Sequence, residues 1–435
     1  MITAGIVSEY NPFHNGHMYQ IEKIREKFGA DCAVVAIMSG NFVQRGEAAM
    51  LDKWSRTRAA LACGVNLVIE LPAVYATGSA ERFADGGVAL AAACGVCDYL
   101  VFGSESGEIS VLDRIAETLA YEPDLYRQHL KAFLDQGLSF PTARTRALEL
   151  FDLSLHADDI LNKSNNILAI EYLKALKRRG INQMKPYTIK REGQGYKETS
   201  QSGPGDPDAS GDVYGAGHFW SASAIRTSLD NEMSTALLLK ALSGKMPDKS
   251  LAILADRYHR KQIILSQEIF ADIVFSHLYS TSLNSLNRIS GMNEGLGARL
   301  KQYSKRSTDI STPLATLIND VTSKRIPSSR VARSLVHMYL GIKTDDLELF
   351  GLDKGPLYLR VLGFDKKGRY ILKKMKINAS LPILMNGSDF LEFPNNLENK
   401  ALKRMAEQDC AATDIWMLKI HKKCGQDFTT PPISY

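Results

Sequence analysis

Four short apolar runs near the N-terminus constrain this chain more than any other feature. They are ITAGIVS (2–8), CAVVAIMSG (32–40), NLVIELP (66–72) and DYLVFGSES (98–106). None alternates apolar with polar residues, so none reads as a strand with one wet face. Between them lie GHMYQIEKIREKF (16–28), DKWSRTRAALACG (52–64) and SAERFADGGVALAAACG (79–95), all with helical spacing. In the first of these, Met18, Ile21, Ile24 and Phe28 recur on one face. Strands buried on both faces and joined by helices of about a dozen residues predict βαβ units and a parallel sheet. Right-handed crossovers make that a doubly wound, Rossmann-like α/β layer.

The pattern from 108 to 180 is helical, with NNILAIEYLKALKRRG (165–180) the clearest element. INQMKPYTIKR (181–191) reads as a return strand that closes the sheet. Residues 192–217, EGQGYKETSQSGPGDPDASGDVYGAG, are rich in Gly, Ser and Asp without an apolar period, which predicts a mobile loop. SASAIRTSL (221–229) then starts a short helix with an N-cap serine. Beyond 232 the chain looks mainly helical. The expected organisation is therefore an α/β domain over 1–232 and a mainly α-helical domain over 233–435.

At 435 residues the chain exceeds one ordinary core, which supports two units. Its 53 basic and 48 acidic residues leave a net charge of only +5, so the placement of charge matters more than its sum. The N-terminus lacks a basic region followed by a long apolar stretch, and no run reaches the roughly 18 apolar residues of a membrane span. A cytoplasmic, reduced protein without a membrane partner is expected. CGVC (94–97) has no second ligand pair at zinc-binding spacing and reads as packed thiols, so no metal ligands are assigned.

HNGH (14–17) stands where the first strand hands over to the first helix. In open α/β sheets ligands bind beyond the carboxyl ends of the strands. Helix-start amides there favour an anion. Asn15-Gly16 permits a sharp turn and a close backbone approach. His14 and His17, at i and i+3, are placed to face one phosphate group.

HNGH resembles the HxGH signature of the nucleotidyltransferase superfamily, and SASAIR (221–226) resembles its ISxTxxR-type second signature. GIVSEYNPFHNGH, MSGNFVQRGE, DKWSRTRAALACGVNLVIELP, FGSE, NNILAIEYLKAL, TIKR and SASAIR occur in that order. Together they are similar to the bacterial tRNA(Met) cytidine acetate ligase family over roughly the first 230 residues, and more weakly beyond. The resemblance implies a two-step reaction. Acetate and ATP, with Mg²⁺ assisting, give acetyl-adenylate and pyrophosphate; N4 of the wobble cytidine of elongator tRNA(Met) then takes the acetyl group. It implies catalytic roles for His14 and His17. It also implies an ATP site formed by Val7, Ser8, Glu9, Tyr10, Asn11, Pro12, Phe13, His14, Asn15, Gly16, His17, Met18, Tyr19 and Gln20. Gly103, Asn166, Arg191, Ser221, Ser223 and Arg226 would complete that site. No obligate protein partner is implied.

Three further groups carry expectations. The loop after the second strand, with Ser39, Asn41, Gln44 and Arg45, is expected to cover the adenylate and admit acetate. Lys53, Arg56 and Arg58 open a helix against the macrodipole preference, which favours an anionic partner as much as a solvated face. Lys324, Arg325, Arg330 and Arg333 form an acid-free basic cluster expected to meet tRNA, and DKKGRYILKKMK (365–376) is a second basic patch. Two alternatives remain: a small-molecule adenylyltransferase of the same superfamily, and a non-catalytic RNA-binding protein. The basic helical half argues against the first, and intact HNGH and SASAIR against the second.

Overall fold

A computed structural model describes residues 1–155, 157–191, 219–229, 233–306, 311–394 and 396–435. The loop expected at 192–217 lies outside these residues. Among them, no helix is long and apolar enough to cross a membrane.

The four apolar runs become β1 (Thr3–Ser8), β2 (Ala33–Ser39), β5 (Leu67–Leu71) and β6 (Tyr99–Ser104), and the return strand becomes β7 (Lys185–Lys190). A two-stranded hairpin, β3 (Phe42–Val43) with β4 (Glu47–Ala48), sits in the loop after β2. In space these five strands run β5-β2-β1-β6-β7, all parallel. The order reverses between β1 and β6, so the crevice of a doubly wound sheet opens at their carboxyl ends.

The lack of alternation has a direct structural reading. Val34, Ala36 and Met38 of β2 pack with Ile21, Ile24 and Leu61 on one face. Ala33, Val35 and Ile37 pack with Val88, Leu90 and Leu173 on the other. Both faces are covered by helices, namely Asn15–Phe28 and Lys53–Ala62 on one side and Ala80–Ala93 and Ser164–Arg178 on the other. Neither face had a position to spare for a polar residue.

The fold does not divide at 232 as expected. β8 (Leu359–Phe364) pairs antiparallel with β5; β9 (Ile383–Leu384) and β10 (Ile433–Ser434) pair parallel with β8. The sheet therefore has eight strands, three from the last eighty residues of the chain. The described residues between 235 and 350 form helices and their connections, and the helix Leu397–Lys419 crosses back to the first half, where Trp416 Nε1 donates to Ala49 O at 2.8 Å. The basic stretch 365–376 lies mostly in the helix Lys366–Asn378, directly after β8.

A buried ionic cluster makes the join. Lys53, fully buried, lies 2.8 Å from both Glu70 of β5 and Asp427 of the C-terminal segment. Arg360 of β8 reaches Asp427 at 3.5 Å. Asp409 of the long helix accepts from Ala73 N at 2.7 Å and from the Tyr358 hydroxyl. Lys53 and Arg56 are thus neither solvated nor turned to an outside anion. The carboxylates that answer Lys53 come from distant parts of the chain, out of reach of helix-start reasoning; of the three cations only Arg58 is exposed. Truncating one partner of such a cluster strands an unpaired buried charge, a cost of about 3–5 kcal/mol.

Burial, helped by nearby Glu70, pushes the Asp409 carboxyl up to about 7. A folded-state value above the ordinary one contributes stability that is complete at acid pH and is lost as pH rises through about 7. Asp409→Asn imitates the protonated form, with Oδ1 still accepting from Ala73. We expect its melting temperature to change less between pH 5.5 and 8.5 than the parent's, and to exceed the parent's at the upper end. Parallel pH profiles in a thermal scan would refute this.

Candidate functional site

The two histidines close the N-terminus of the helix Asn15–Phe28 as a pair. His14 is the N-cap: its Nδ1 accepts from Gly16 N at 3.0 Å. His17 reaches back, its Nδ1 accepting from His14 N at 3.2 Å. This is a capping box built from imidazoles in place of the usual hydroxyl and carboxylate. Because each Nδ1 accepts, each neutral ring carries its proton on Nε2, so the pair presents two N–H donors. The ring centroids lie 3.9 Å apart. A Cβ on Gly16 would stand 2.8 Å from His14 Cε1, which is why a residue without one is needed beside the cap.

Burial, reinforced by the charges of Arg191 and Arg226, pushes His14 down to about 3. Burial, His14 and Arg191 hold His17 well below the ordinary value. Tyr10 and Phe13 wall the site, their centroids 4.9 and 5.3 Å from the His17 ring. Tyr10 holds a left-handed backbone (φ 47°), a strained conformation kept by its complete burial.

The remaining residues of the 7–20 segment follow this geometry. Val7 and Ser8 end β1. Glu9, its carboxyl raised by burial, accepts from Gln44 N at 2.8 Å. Asn11 Oδ1 accepts from Met50 N, and its carbonyl takes Arg226 Nη1, both at 2.8 Å. Phe13 O accepts from Ser250 and Asn15 Nδ2 donates to Gly244 O, so the helical half of the chain braces the segment. Met18, Tyr19 and Gln20 lie on the helix, with Tyr19 5.5 Å from Phe219.

SASAIR arrives beside HNGH. Ser221 caps the six-residue helix Ala222–Thr227. Arg226 bridges Asn11 O, Ser223 Oγ at 3.4 Å and Glu47 at 3.6 Å. Gly103 is paired with Ile189 at the ends of β6 and β7, and the Arg191 side chain folds across it. The ends of β1, β6 and β7 and the second signature therefore converge, as the two motifs implied.

Asn166 is anchored in the turn after β6. It is buried; its Oδ1 accepts from Glu105 N at 2.9 Å and Ser106 N at 3.1 Å, and its Nδ2 donates to Ile160 O. Glu105 in turn caps the helix Ser164–Arg178 through Asn165 N and Asn166 N. Asn166 thus shapes the turn after β6. Glu105 was not singled out from sequence, although it stands two residues after Gly103 within FGSE.

The loop after β2 is anchored on both sides. Gly46 (φ 78°) presses against the backbone of Ala332 and Arg333 so tightly that a Cβ would collide. Phe42 contacts the Phe270 and Tyr339 rings. Arg56 gathers the carbonyls of Glu9, Ser39, Gly40 and Leu51. Ser39 Oγ and Asn41 Nδ2 are buried without a hydrogen-bond partner, two polar groups at and just past the carboxyl end of β2. Lys324 and Arg325 are exposed, whereas Arg330 pairs with Glu294 at 2.9 Å and Arg333 is half-buried.

Residues 1–430 match the family described as HIGH Nucleotidyl Transferase. The chain is 37% identical to the tRNA(Met) cytidine acetate ligase of Acetivibrio thermocellus over 434 residues, 99% of each chain. It is 39% identical to that of a Thermoanaerobacter species over 431 residues, covering 99% of this chain and 98% of the other. Among solved structures it is similar to Thermotoga maritima TmcAL bound with alpha-thio ATP, with a TM-score of 0.86 and 32% identity over 100% of this chain and 99% of that one. Against the apo form of the same protein the TM-score is 0.87, with 33% identity and the same coverage.

Histidines whose folded-state values lie below the ordinary 6.5 contribute stability that is present at neutral pH and lost as pH falls through that value. Asn at both positions keeps a side-chain oxygen where Nδ1 sits, preserving the cap without a titrating group. The double variant His14→Asn/His17→Asn is expected to lose less melting temperature between pH 7 and pH 5 than the parent. An equal loss would contradict buried, neutral imidazoles.

Proposed function

The chain belongs to the tRNA(Met) cytidine acetate ligase family of HIGH nucleotidyltransferases, and on that premise we propose that it activates acetate with ATP and passes the acetyl group to N4 of the wobble cytidine of elongator tRNA(Met). The observation that carries this reading is the histidine pair at the sheet's switch point, fixed by the helix amides so that both Nε2–H groups are donors.

In the first step an acetate oxygen attacks the α-phosphorus of ATP. A carboxylate–phosphorus bond forms, the α–β phosphoanhydride breaks, and pyrophosphate leaves. Charge gathers on phosphate oxygens, and preorganised neutral donors stabilise it without carrying a proton away. Arg191 and Arg226 add positive charge to the same crevice, and Ser221 and Ser223 add hydroxyls. In the second step the cytidine amine attacks the acetyl carbonyl, AMP leaves, and the amine loses a proton. Ser39 and Asn41, with polar atoms unpartnered in the protein, are suited to acetate at the loop. Among the described residues no cluster of three His, Cys, Asp or Glu side chains could hold a metal ion. Mg²⁺ is therefore read as a companion of the ATP phosphates, with no step assigned to it. Lys324, Arg325, Arg330 and Arg333 are read as the tRNA surface.

Incubation with ATP, acetate and bulk tRNA is expected to yield N4-acetylcytidine, and pyrophosphate release is expected to require acetate but not tRNA. Product formed from acetyl-CoA without acetate would overturn the ligase reading. His17→Asn keeps the cap and deletes the donor. It is expected to melt near the parent while slowing pyrophosphate release about 10²–10³-fold. His17→Ala should add a loss of about 1 kcal/mol of stability from the missing cap. Full activity in both variants would remove His17 from the reaction.

A further inference from the structure

On the far side of the loop after β2 lies a cavity of about 400 Å³, between the start of the helix Ala80–Ala93 and the helix Ser328–Leu340. Three guanidinium groups line it: Arg82 from the first helix, Arg330 and Arg333 from the second. Arg330 is held by Glu294 at 2.9 Å and Asn293 at 2.6 Å. Among the described residues, Arg82 and Arg333 have no carboxylate within ion-pair distance. Their placement is nonetheless built. The Arg82 stem lies over Gly78, where a Cβ would come within 2.8 Å of it. Arg333 sits on the turn of helix that meets Gly46. His337 at the back is engaged at both nitrogens, with Thr77 at 3.0 Å and Ser290 at 3.2 Å, so it is wall and not ligand.

Burial, with the charges of Arg82 and Arg330, lowers the proton affinity of Arg333. Glu81, whose charge reaches Arg82, is itself engaged by Lys174 and Arg178. Half-buried like charges are costly in the free protein. Their natural complement is an anion that accepts from two guanidinium forks, and phosphate has that geometry. The cavity also adjoins the loop that borders the histidine site. Gln44 Nε2 donates to Gly78 O at 3.4 Å, while Gln44 N donates to Glu9. A strand held in this cavity therefore lies one loop away from the reacting centre, where the RNA has to come.

We propose that the cavity docks a backbone phosphate of the tRNA, gripped by Arg82 and Arg333. This rests on the tRNA reading above and adds to it a contact from the α/β half of the chain. Arg82, in the middle of an unremarkable helix start, carries no sequence signal for this.

The test is tRNA binding across a salt series, followed by anisotropy, for the parent, Arg82→Gln, Arg333→Gln and, as a control, Arg127→Gln on the exposed helix Asp124–Asp135. Each cavity variant is expected to bind about tenfold more weakly and to lower the salt slope by about one phosphate contact. Each is also expected to melt at or above the parent temperature, because a like-charge repulsion has been relieved. The control should bind like the parent. Unchanged affinity and slope in both cavity variants, with the parent binding tRNA normally, would sink the cavity while leaving the tRNA reading intact. A parent that binds no tRNA would end both. Inorganic phosphate that binds the parent through Arg82 and Arg333 without competing with tRNA would overturn the RNA assignment in favour of a free anion.

Discussion

Two buried cations on one helix hold this molecule together. Lys53 and Arg56 open the helix Lys53–Ala62, where the macrodipole disfavours positive charge, and neither side chain touches water. Lys53 ties β5 to the C-terminal segment through Glu70 and Asp427. Arg56 ties the end of β1 to the end of β2 by taking the carbonyls of Glu9, Ser39 and Gly40. The first contact closes the sheet. The second sets the distance between the HNGH segment and the loop after β2. A desolvated ion survives only when its partners are complete, so sheet closure and site geometry are coupled through a single helical turn.

The site is built on the same economy of backbone groups. A helix N-terminus needs its amides satisfied, and here histidines do it. That use of Nδ1 decides which nitrogen carries the proton. Capping and charge stabilisation are thus one arrangement: the nitrogen turned inward holds the helix start, and the nitrogen turned outward is left as a donor. Burial among Tyr10, Phe13 and the two arginines keeps both rings neutral.

The helical half is more than an appended surface. Its residues brace Asn15 and Phe13, pack against the hairpin after β2 through Phe270 and Tyr339, and place Arg333 against Gly46. A chain segment bound to these helices and a nucleotide bound at the strand ends would press on opposite sides of one loop.

How much of this was legible beforehand depended on range. The parallel core, the strand-to-helix position of HNGH, the capping serine of SASAIR and the convergence of the two motifs were readable, because local period and turn chemistry report on a few neighbouring residues. Asn166 was read as a nucleotide ligand, and the structure adds that its side-chain oxygen also holds the turn after β6; its motif was visible, its partners within the protein were not. Lys53 and Arg56 looked like cations in search of an anion. Only the tertiary structure supplied Asp427 from 374 residues away, joined β8, β9 and β10 to a sheet expected to end at β7, and brought Arg82 to face Arg333. Those outcomes rest on desolvated charges and strand edges pairing across the whole chain, and no local pattern carries that information.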